Sequence, residues 1–411
     1  MEYRLDELFD LQMGKTPARK NPEYWNSNDY KWISIADLSK CEKYITETKE
    51  HISSIAVQES GISEIPANTV IMSFKLSIGK TAITKEPIYS NEAIMSFRDK
   101  GVTPLLPDYI YYMFSGRDWS KGSNTAVMGT TLNKATLSQI RIYVHAYEDQ
   151  KRIVELLDKV SSIISKRKQE LVELDDLIKA RFVEMFGNPA TPGDKFKTCK
   201  LGEAADVKSS HRVFTTEFVD EGVPFYRGTE IGVLASGQRP EDPYRISMEH
   251  YLKIASDDSK PIRGDLLLPS ICNKGQVWMV DTDEPFYYKD GRVLCISPNR
   301  SVFDPRYLQL YMKMRTEAEY PKLGSGSTFA EFKIFQLKKL EIDIPPMDIQ
   351  NQFAQFVTQI DKSKLLSGCR LFHSWAPEIE ISRSMLACPD GGQRICGKVD
   401  ANNDAGRPGK S

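Results

Sequence analysis

The chain repeats its own pattern of apolar and polar residues, and the second copy starts about 200 residues after the first. Residues 137–144 followed by Gln150 match residues 337–344 followed by Gln350 in this pattern. Three further pairs of segments occur in the same order: 68–80 with 264–275, 107–111 with 305–309, and 129–131 with 326–328. A tandem duplication of one domain followed by a helix is the simplest interpretation, because self-similarity over a long stretch indicates repeated structural units. Two similar modules suggest two similar tasks on one ligand.

A long helix is predicted between the copies. Residues 148–186 contain neither Gly nor Pro, and Gly187 and Pro189 follow directly, which is typical of a helix end. The apolar residues mostly alternate steps of four and three, as in the seam of a coiled coil. They are Ile153, Leu157, Val160, Ile164, Leu171, Leu174, Ile178 and, after a gap, Met185. At about 1.5 Å per residue, this helix would be roughly 58 Å long.

Such a stripe needs a partner, because an isolated helix cannot bury it. We expect the partner after the second copy, in a helix that begins near Asp348 and has apolar residues at the same spacing. These residues are Ile349, Phe353, Phe356 and Ile360. The two helices would form an antiparallel spacer that holds two domains apart. A helix that packs as a further layer on its own domain is the alternative, and the sequence leaves it open.

The rest of the sequence divides into two strand-rich modules. Short apolar or β-branched runs such as 31–35 and 69–72 predict strands, and Pro107 before an apolar helical pattern predicts a helix over residues 107–115. We therefore expect an α+β fold, with two tandem mixed α/β domains separated by long coiled-coil spacer helices. The predicted boundaries are 1–146 for the first domain, 147–187 for the long helix, 188–344 for the second domain and 345–364 for the start of a second spacer helix.

The repeat fails at its end. Residues 365–411 do not continue the expected helix, and they contain Pro377, Pro389 and a run of Gly, Asp and Asn that is typical of disorder. A frameshift, a recombined end and an alternative terminus would each give such an atypical tail. If the second spacer helix is missing its second half, residues 171–185 of the first helix would lack an intramolecular partner.

Charge and composition exclude several classes of protein. The formal net charge of −1 argues against binding nucleic acid through an overall positive field, so any DNA contact requires local cations or a partner. No apolar run approaches the roughly 18 residues of a membrane span, and the first residues do not resemble a signal peptide; we expect a cytoplasmic protein. The seven cysteines are odd in number and form no C-x-x-C pair, so neither a disulfide framework nor a metal site is predicted.

Sequence motifs for catalysis are absent. The chain has no G-x-x-x-x-G-K-[ST] loop for a nucleoside triphosphate and no G-x-S-x-G nucleophile motif. Residues 188–191 read Asn-Pro-Ala-Thr, which lacks the second proline and the aromatic residue of an adenine methyltransferase loop. We therefore predict that this chain is not an enzyme and binds no cofactor or metal itself.

Basic and aromatic residues are interleaved in the predicted loops, which suits recognition of DNA. Lys and Arg bind phosphates or guanine, and Asn or Gln can bridge adenine in the major groove. The candidate DNA-binding residues are Lys15, Thr16, Arg19, Lys75, Lys80, Arg227, Asn273 and Lys274. Each one could also be an ordinary surface residue, and the sequence does not distinguish these alternatives.

Several of these segments resemble a known family, the specificity subunits of type I restriction-modification systems. In the first copy the resemblance lies in residues 14–17 (Gly-Lys-Thr-Pro), 22–25 (Pro-Glu-Tyr-Trp) and 32–34 (Trp-Ile-Ser). The segment from Ser73 to Lys80 and the Gly-Ser/Thr-Thr element also fit. In the second copy Pro345 and Pro346 followed by Gln350 resemble the usual entry into the spacer helix, where the first copy has His145. The resemblance covers roughly residues 3–364.

The resemblance implies two target-recognition domains, each of which reads one half of a bipartite double-stranded DNA target. It further implies that the helices set the spacing and dock two methyltransferase subunits, with restriction/translocase subunits as additional partners. S-adenosylmethionine, ATP and Mg are then expected on those partner subunits, and no membrane is involved. The docking helix would use the apolar seam from Ile153 to Ile178. Two alternatives remain: an inactive or altered, truncated specificity subunit, and a protein–protein scaffold without DNA binding.

Overall fold

A computed structural model describes residues 1–75, 77–119, 124–126, 129–257, 259–323 and 330–366, without the side chains of 124–126, 129–131, 365 and 366. The Gly-Ser-Thr segment of the second copy, residues 326–328, and residues 367–411 of the atypical tail lie outside this description. The described residues form two compact units, and the division falls inside the long helix, between Lys168 and Gln169. We call them the first unit and the second unit.

The first unit contains short strands and helices in mixed order. Its strands are β1 (Glu2–Arg4), β2 (Phe9–Met13), β3 (Tyr30–Ile33), β4 (Tyr44–Ile45), β5 (Glu50–Ile52), β6 (Val70–Ser73), β7 (Thr81–Thr84), β8 (Tyr89–Ser90), β9 (Ile94–Asp99), β10 (Asn124–Ala126), β11 (Gly129–Thr131) and β12 (Arg141–Tyr143). Its helices are α1 (Leu5–Leu8), α2 (Ile35–Lys40), α3 (Ser54–Ser60), α4 (Pro107–Ser115), α5 (Lys134–Ser138) and the first part of α6 (Tyr147–Phe186).

The main sheet of the first unit is buried on both faces. Its strand order is β2-β9-β6-β7-β4, and a three-stranded sheet in the order β5-β3-β8 lies in the same unit. Successive side chains of a strand point to opposite faces. On β6, Val70 and Met72 accordingly belong to a core that includes residues of α4, while Ile71 belongs to a core that includes Leu38 of α2. This is why the strand reads as a continuous apolar run.

The second unit has the same kinds of elements. Its strands are β13 (Thr198–Lys200), β14 (Ala205–Lys208), β15 (Phe218–Val219), β16 (Val223–Tyr226), β17 (Tyr244–Ile246), β18 (Leu266–Pro269), β19 (Trp278–Met279), β20 (Tyr287–Tyr288), β21 (Val293–Pro298) and β22 (Glu341–Asp343). Its helices are the rest of α6, α7 (Leu201–Ala204), α8 (Gly228–Ala235), α9 (Met248–Ile254), α10 (Pro305–Glu319), α11 (Ile334–Lys338) and α12 (Met347–Leu366).

The two units repeat one topology, as the sequence pattern predicts. The order β14-β21-β18-β19 repeats β2-β9-β6-β7. Among the described residues of the second unit, no strand corresponds to β4 at the edge of the first sheet. In the smaller sheets, Trp32 pairs with Tyr89 between parallel strands, and Phe225 pairs with Tyr287 in the same way. These registers establish which residues correspond in the two units.

The main helix predictions are confirmed. The helix predicted over residues 107–115 is α4, and the one predicted over 148–186 is α6, which starts one residue earlier at Tyr147. Gly187 follows α6 with a φ of 88°, the left-handed conformation that commonly ends a helix. The predicted second helix is α12, which runs from Met347 to Leu366.

A buried glutamine fastens the start of α6 to the first unit. Gln150 is 0% exposed. Its Oε1 accepts a hydrogen bond from Leu106 N at 3.0 Å, and its Nε2 donates to Pro104 O and His145 O, both at 3.0 Å. These bonds satisfy backbone groups at the entry into α4 and α6, which would otherwise be unpaired.

The second unit repeats this arrangement with Gln350. Its Oε1 accepts from Asp304 N at 2.9 Å, and its Nε2 donates to Val302 O at 2.9 Å and Pro345 O at 2.8 Å. The equal positions of the two glutamines in the duplicated pattern therefore have a physical cause: each joins a spacer helix to the entry of a helix in its own unit.

Within the second unit, the last part of α6 packs against α12 in antiparallel orientation. The ring centroid of Phe353 lies 5.3 Å from Phe182 and 5.4 Å from Phe186. Later in α12 and earlier in α6, Lys364 Nζ lies 2.6 Å from Asp175 Oδ1. The prediction that residues 171–185 would lack an intramolecular partner is wrong, because these contacts need only the described part of α12.

The core of the second unit explains this result. Ile178, Val357 and Ile360 are buried in it, and Leu174 and Met185 pack against it. The described part of α12 is therefore long enough to cover most of the stripe. Among the described helices, none is both long and apolar enough to cross a membrane.

Candidate functional site

The candidate residues of the first unit gather where β6 ends and β9 begins, which we call the first loop edge. Phe74 N donates to Ala93 O at 3.0 Å, and Lys15 N donates to Ser90 O at 2.7 Å. The loop after β2 is thereby held beside the loop after β6. Gly14 is required at this point, because a Cβ there would lie 2.2 Å from Ser90 O.

Glu92 lies at the centre of the first loop edge. Thr16 Oγ1 donates to the Glu92 carboxylate, and this hydrogen bond lowers the pKa of Glu92, with further lowering by the charges of Lys75 and Arg19. Three predicted residues are thus brought together around one carboxylate that sequence reasoning missed. Its residue type gave no signal, because an acidic residue was not expected in a phosphate-binding loop.

Arg19 is held by a carboxylate and an aromatic ring. Its guanidinium forms two hydrogen bonds with Glu50, one of them at 3.2 Å, and its Cζ lies 3.9 Å from the ring centroid of Trp25 and 4.8 Å from that of Trp32. Arg19 remains about half exposed, at 49% of its side chain. The arrangement holds a planar cation at the surface, with one face on indole.

The lysines of the first loop edge are exposed. Lys15 Nζ donates to Ser60 O, and Lys75 Nζ lies 5.3 Å from the ring centroid of Phe74. Lys80 closes the loop after β6 through its backbone, because its N donates to Ser73 Oγ at 3.1 Å and its O accepts from Ser73 N at 2.8 Å.

The second unit has an equivalent second loop edge, where β18 ends and β21 begins. Ser270 N donates to Arg292 O at 2.8 Å, as Phe74 N does to Ala93 O in the first unit. Arg227 precedes α8, and a Cβ on the next residue, Gly228, would lie 3.2 Å from Pro269 Cβ. Arg227 is therefore beside this edge.

Arg227 forms an ion pair that the sequence did not predict. Its Nη2 lies 2.7 Å from Glu230 Oε1, its Nε lies 3.1 Å from Glu230 Oε2, and its Cζ lies 4.5 Å from the ring centroid of Tyr244. Burial raises the pKa of Glu230, but the hydrogen bonds from Arg227 outweigh it and lower the pKa to about 2.

Asn273 and Lys274 lie on the exposed loop after β18. Asn273 Oδ1 accepts a hydrogen bond from Gln276 Nε2 at 3.3 Å, and Lys274 N donates to Gln276 Oε1 at 3.1 Å. Gly275 has a φ of 61°, and a Cβ there would lie 2.5 Å from Lys313 O. The tight turn at Gly275 presents the two predicted side chains to solvent.

The residues predicted for subunit docking differ in burial. Leu157, Ile164 and Ile178 are buried, while Ile153, Val160, Leu171 and Leu174 are half-buried. Leu157, Ile164 and Ile178 are therefore excluded as part of a docking surface, because their side chains are already covered within this chain. Sequence reasoning missed Phe182 and Phe186, which continue the steps of four from Ile178 and are almost fully buried.

The surface of the long helix has a second apolar row. Leu156, Ile163 and Leu177 are 44%, 57% and 49% exposed, and Val172 is 54% exposed. Leu156 and Ile163 are seven residues apart, and Leu177 is fourteen after Ile163, so these three share one helix face. As for metals, no group of three or more His, Cys, Asp or Glu side chains in the described part of the chain could hold an ion.

Known proteins with similar sequences have one description in common. The chain is 26% identical over 198 residues to the type I restriction enzyme MjaIX specificity subunit of Methanocaldococcus jannaschii, an alignment that covers 47% of this chain and 44% of the relative. It is 27% identical over 195 residues to the HindI specificity subunit of Haemophilus influenzae, which covers 44% of this chain and 40% of the relative. The alignments thus span less than half the length of these relatives.

Similarity of fold extends over almost the whole chain. A solved structure described as the structural basis of complex assembly and conformational transition of the type I R-M system has a TM-score of 0.53 and 16% identity. The superposition covers 94% of this chain and 95% of that one. A family model, the type I restriction modification DNA specificity domain, matches residues 1–174 and again residues 193–368. The match repeats the duplication seen in the sequence and in the strand order, and the chain belongs to this family.

Proposed function

We propose that this chain is the DNA-recognition subunit of a type I restriction-modification complex and that each unit reads one half of a bipartite target. One observation carries the proposal. The specificity-domain family model matches twice, and in each copy cationic side chains lie at the same edge of the main sheet. Phosphate contacts by these cations would position the DNA, and polar side chains would read base edges.

Local charge reconciles this function with the neutral chain. Arg19, Lys75 and Lys80 on the first unit and Arg227 and Lys274 on the second place cationic side chains at the loop edges, and Glu50 and Glu230 pair with the two arginines. Affinity would then be modest for the chain alone and would rise in a complex, because partner subunits add phosphate contacts. S-adenosylmethionine, ATP and Mg belong to those partners in this proposal, and the chain itself has no catalytic role.

The spacer helices set the distance between the half-sites in this proposal. The antiparallel packing of α12 on the last part of α6 supports paired helices. Two methyltransferase subunits would dock on the outer apolar row of Leu156, Ile163 and Leu177, since the inner seam is buried. Restriction and translocation subunits would then join the methyltransferase.

A methylation assay tests the function. The full chain, mixed with its cognate methyltransferase subunits, should direct methylation to one bipartite motif, which sequencing of modified DNA identifies. Replacing residues 201–335 with those of a relative should change one half of the motif and leave the other half unchanged. A change in both halves would contradict one unit per half-site, and retention of the methyltransferase without any sequence-dependent methylation would indicate a protein–protein scaffold.

Lengthening the spacer tests the role of the helix. Seven residues inserted after Lys168 add one heptad, roughly 10 Å of helix, and should lengthen the gap between half-sites by about three base pairs. The half-sites themselves should stay the same. An unchanged gap would show that α6 does not set the spacing.

A further inference from the structure

A hollow on the second unit differs in chemistry from the described residues at the equivalent place on the first unit. It has a volume of about 420 Å³ and is lined by Gly291, Leu294, Phe332, Lys333, Ile334, Phe335 and Lys338. Leu294 and Phe332 are 2% and 1% exposed and belong to its floor, while Phe335 on α11 is 60% exposed. The hollow therefore combines an apolar floor with an aromatic side chain in solvent.

The hollow has more cations than carboxylates around it. Lys339 Nζ lies 5.9 Å from the ring centroid of Phe335, and Lys338 Nζ is 3.7 Å from Asp206 Oδ1. Lys333 and Arg292 share a single carboxylate, that of Glu331. These four cations contact two carboxylates, and a third carboxylate, Asp290 beside Gly291, is paired with Arg212 and Lys289. The cations remain in excess, so this surface suits an anionic occupant that also has apolar groups.

The hollow is continuous with the second loop edge. Phe332 N donates to Ser270 O at 2.8 Å, and Ser270 N donates to Arg292 O at 2.8 Å. Ser270 is also the first residue after β18, at the start of the loop that carries Asn273 and Lys274. A DNA strand bound to that loop would pass beside the hollow. This adjacency to the candidate DNA-binding residues favours DNA over a protein segment as the occupant.

The corresponding place in the first unit has the opposite character. The shared backbone registers match Gly291 with Glu92, because the next residues, Arg292 and Ala93, accept equivalent hydrogen bonds. The register of the short helices α5 and α11 matches Phe335 with Ala135. A carboxylate and a methyl group therefore stand where the second unit has an open glycine and an aromatic ring.

We infer that the hollow is a DNA-contact surface particular to the second unit. Phe335 packs against the sugars and base edges of one strand, and Lys333, Lys338 and Lys339 bind its phosphates. Apolar side chains can contact base edges in a groove of the duplex, such as the thymine methyl group, and flanking cations provide contacts that weaken with salt. The inference rests on the proposed DNA-recognition function and adds a surface that contributes affinity on one side of the target only.

The surface is tested by binding of the full complex to a DNA duplex that contains the motif identified by the methylation assay. F335A should weaken binding on the order of tenfold, through loss of the apolar area that the ring buries, and K338Q/K339Q should lower the slope of log affinity against log salt by about two. L252A is the matched control, because Leu252 is a 64% exposed apolar residue on α9 of the same unit and its loss should change neither quantity. Hydroxyl-radical footprints with F335A should lose protection beside one half-site only.

The outcomes separate this inference from the proposed function. Sequence-dependent binding by the wild type with unchanged binding by F335A would overturn the inference and leave the function intact. Loss of methyltransferase subunits from the F335A complex in gel filtration, with DNA affinity per complex unchanged, would reassign the hollow to protein docking and overturn it. Absence of sequence-dependent binding by the wild type would overturn both.

Discussion

The two units have the same strand order in their main sheets but differ in charge at equivalent positions. Glu50 lies opposite Trp32 in the first unit, and Tyr244 lies opposite Phe225 in the second, so Glu50 and Tyr244 correspond. Each contacts a guanidinium, but Arg19 comes from the loop after β2 and Arg227 from the start of α8. A cation is therefore present at this place in both units, but it comes from a different element in each.

The units also differ in what covers their central tyrosine. Tyr307 in the second unit stacks on Phe182, with centroids 5.6 Å apart. Its counterpart Tyr109 contacts His145 instead, with the hydroxyl 2.7 Å from Nδ1. Both hydroxyls also donate to the backbone of the last strand, to Tyr143 O and Asp343 O. The second unit is therefore the one whose core depends on the end of the long helix.

Removing the contact between the end of α6 and the core of the second unit should have the largest effect on stability. F182A deletes a fully buried ring in contact with Phe186, Tyr307 and Phe353, and it should lower the free energy of unfolding of the second unit by about 3–5 kcal/mol. V172A, at a 54% exposed position of the same helix within the second unit, should change it by less than about 0.5 kcal/mol. Hydrogen exchange of α10 amides measures both. Equal protection in F182A and wild type would show that the helix end is not part of this core.

The buried glutamines test whether the units are equivalent. Q150A and Q350A each remove three hydrogen bonds to backbone groups and should each cost about 3 kcal/mol, because those groups stay buried without partners. Gln352 is exposed on α12, and Q352A should be nearly neutral. Hydrogen exchange at the start of α6 and of α12 reports the two sites separately. A large loss of stability in one variant and none in the other would show that Gln150 and Gln350 are not equivalent.

The duplication, both long helices and the helix over residues 107–115 could be predicted, because each is encoded by local periodicity and by its end signals. Partners at the candidate site could not be predicted in this way. Arg19 meets Glu50 only through the pairing of β3 with β5, and Thr16 meets Glu92 only through the loop contacts of β2 and β9. The burial of Phe182 and Phe186 could also have been predicted, because they continue the steps of four from Ile178. The expected alternation of four and three does not include them.

The carboxylate beside Arg19 gives a smaller effect, on DNA binding. E50Q should tighten binding by the assembled complex about two- to fivefold and steepen its salt dependence by about one, because one more cation becomes available to phosphate. Glu47 is an exposed carboxylate in the loop between β4 and β5, and E47Q should leave binding unchanged. Weaker binding by E50Q would mean that Glu50 orients Arg19 for base contact, so that the pair acts as one reading element.

The smallest expected effect is the pH dependence that His145 contributes in the first unit. Burial lowers the pKa of His145 from its ordinary value of 6.5, so the folded state binds a proton less readily than the unfolded state does. Stability should therefore fall as the pH drops below about 6.5, and H145Q should remove this loss. The second unit has Pro345 at the equivalent position and cannot show it. Thermal unfolding of wild type and H145Q between about pH 5 and 7.5 measures the difference, and parallel curves would show that the proton at His145 is not linked to folding.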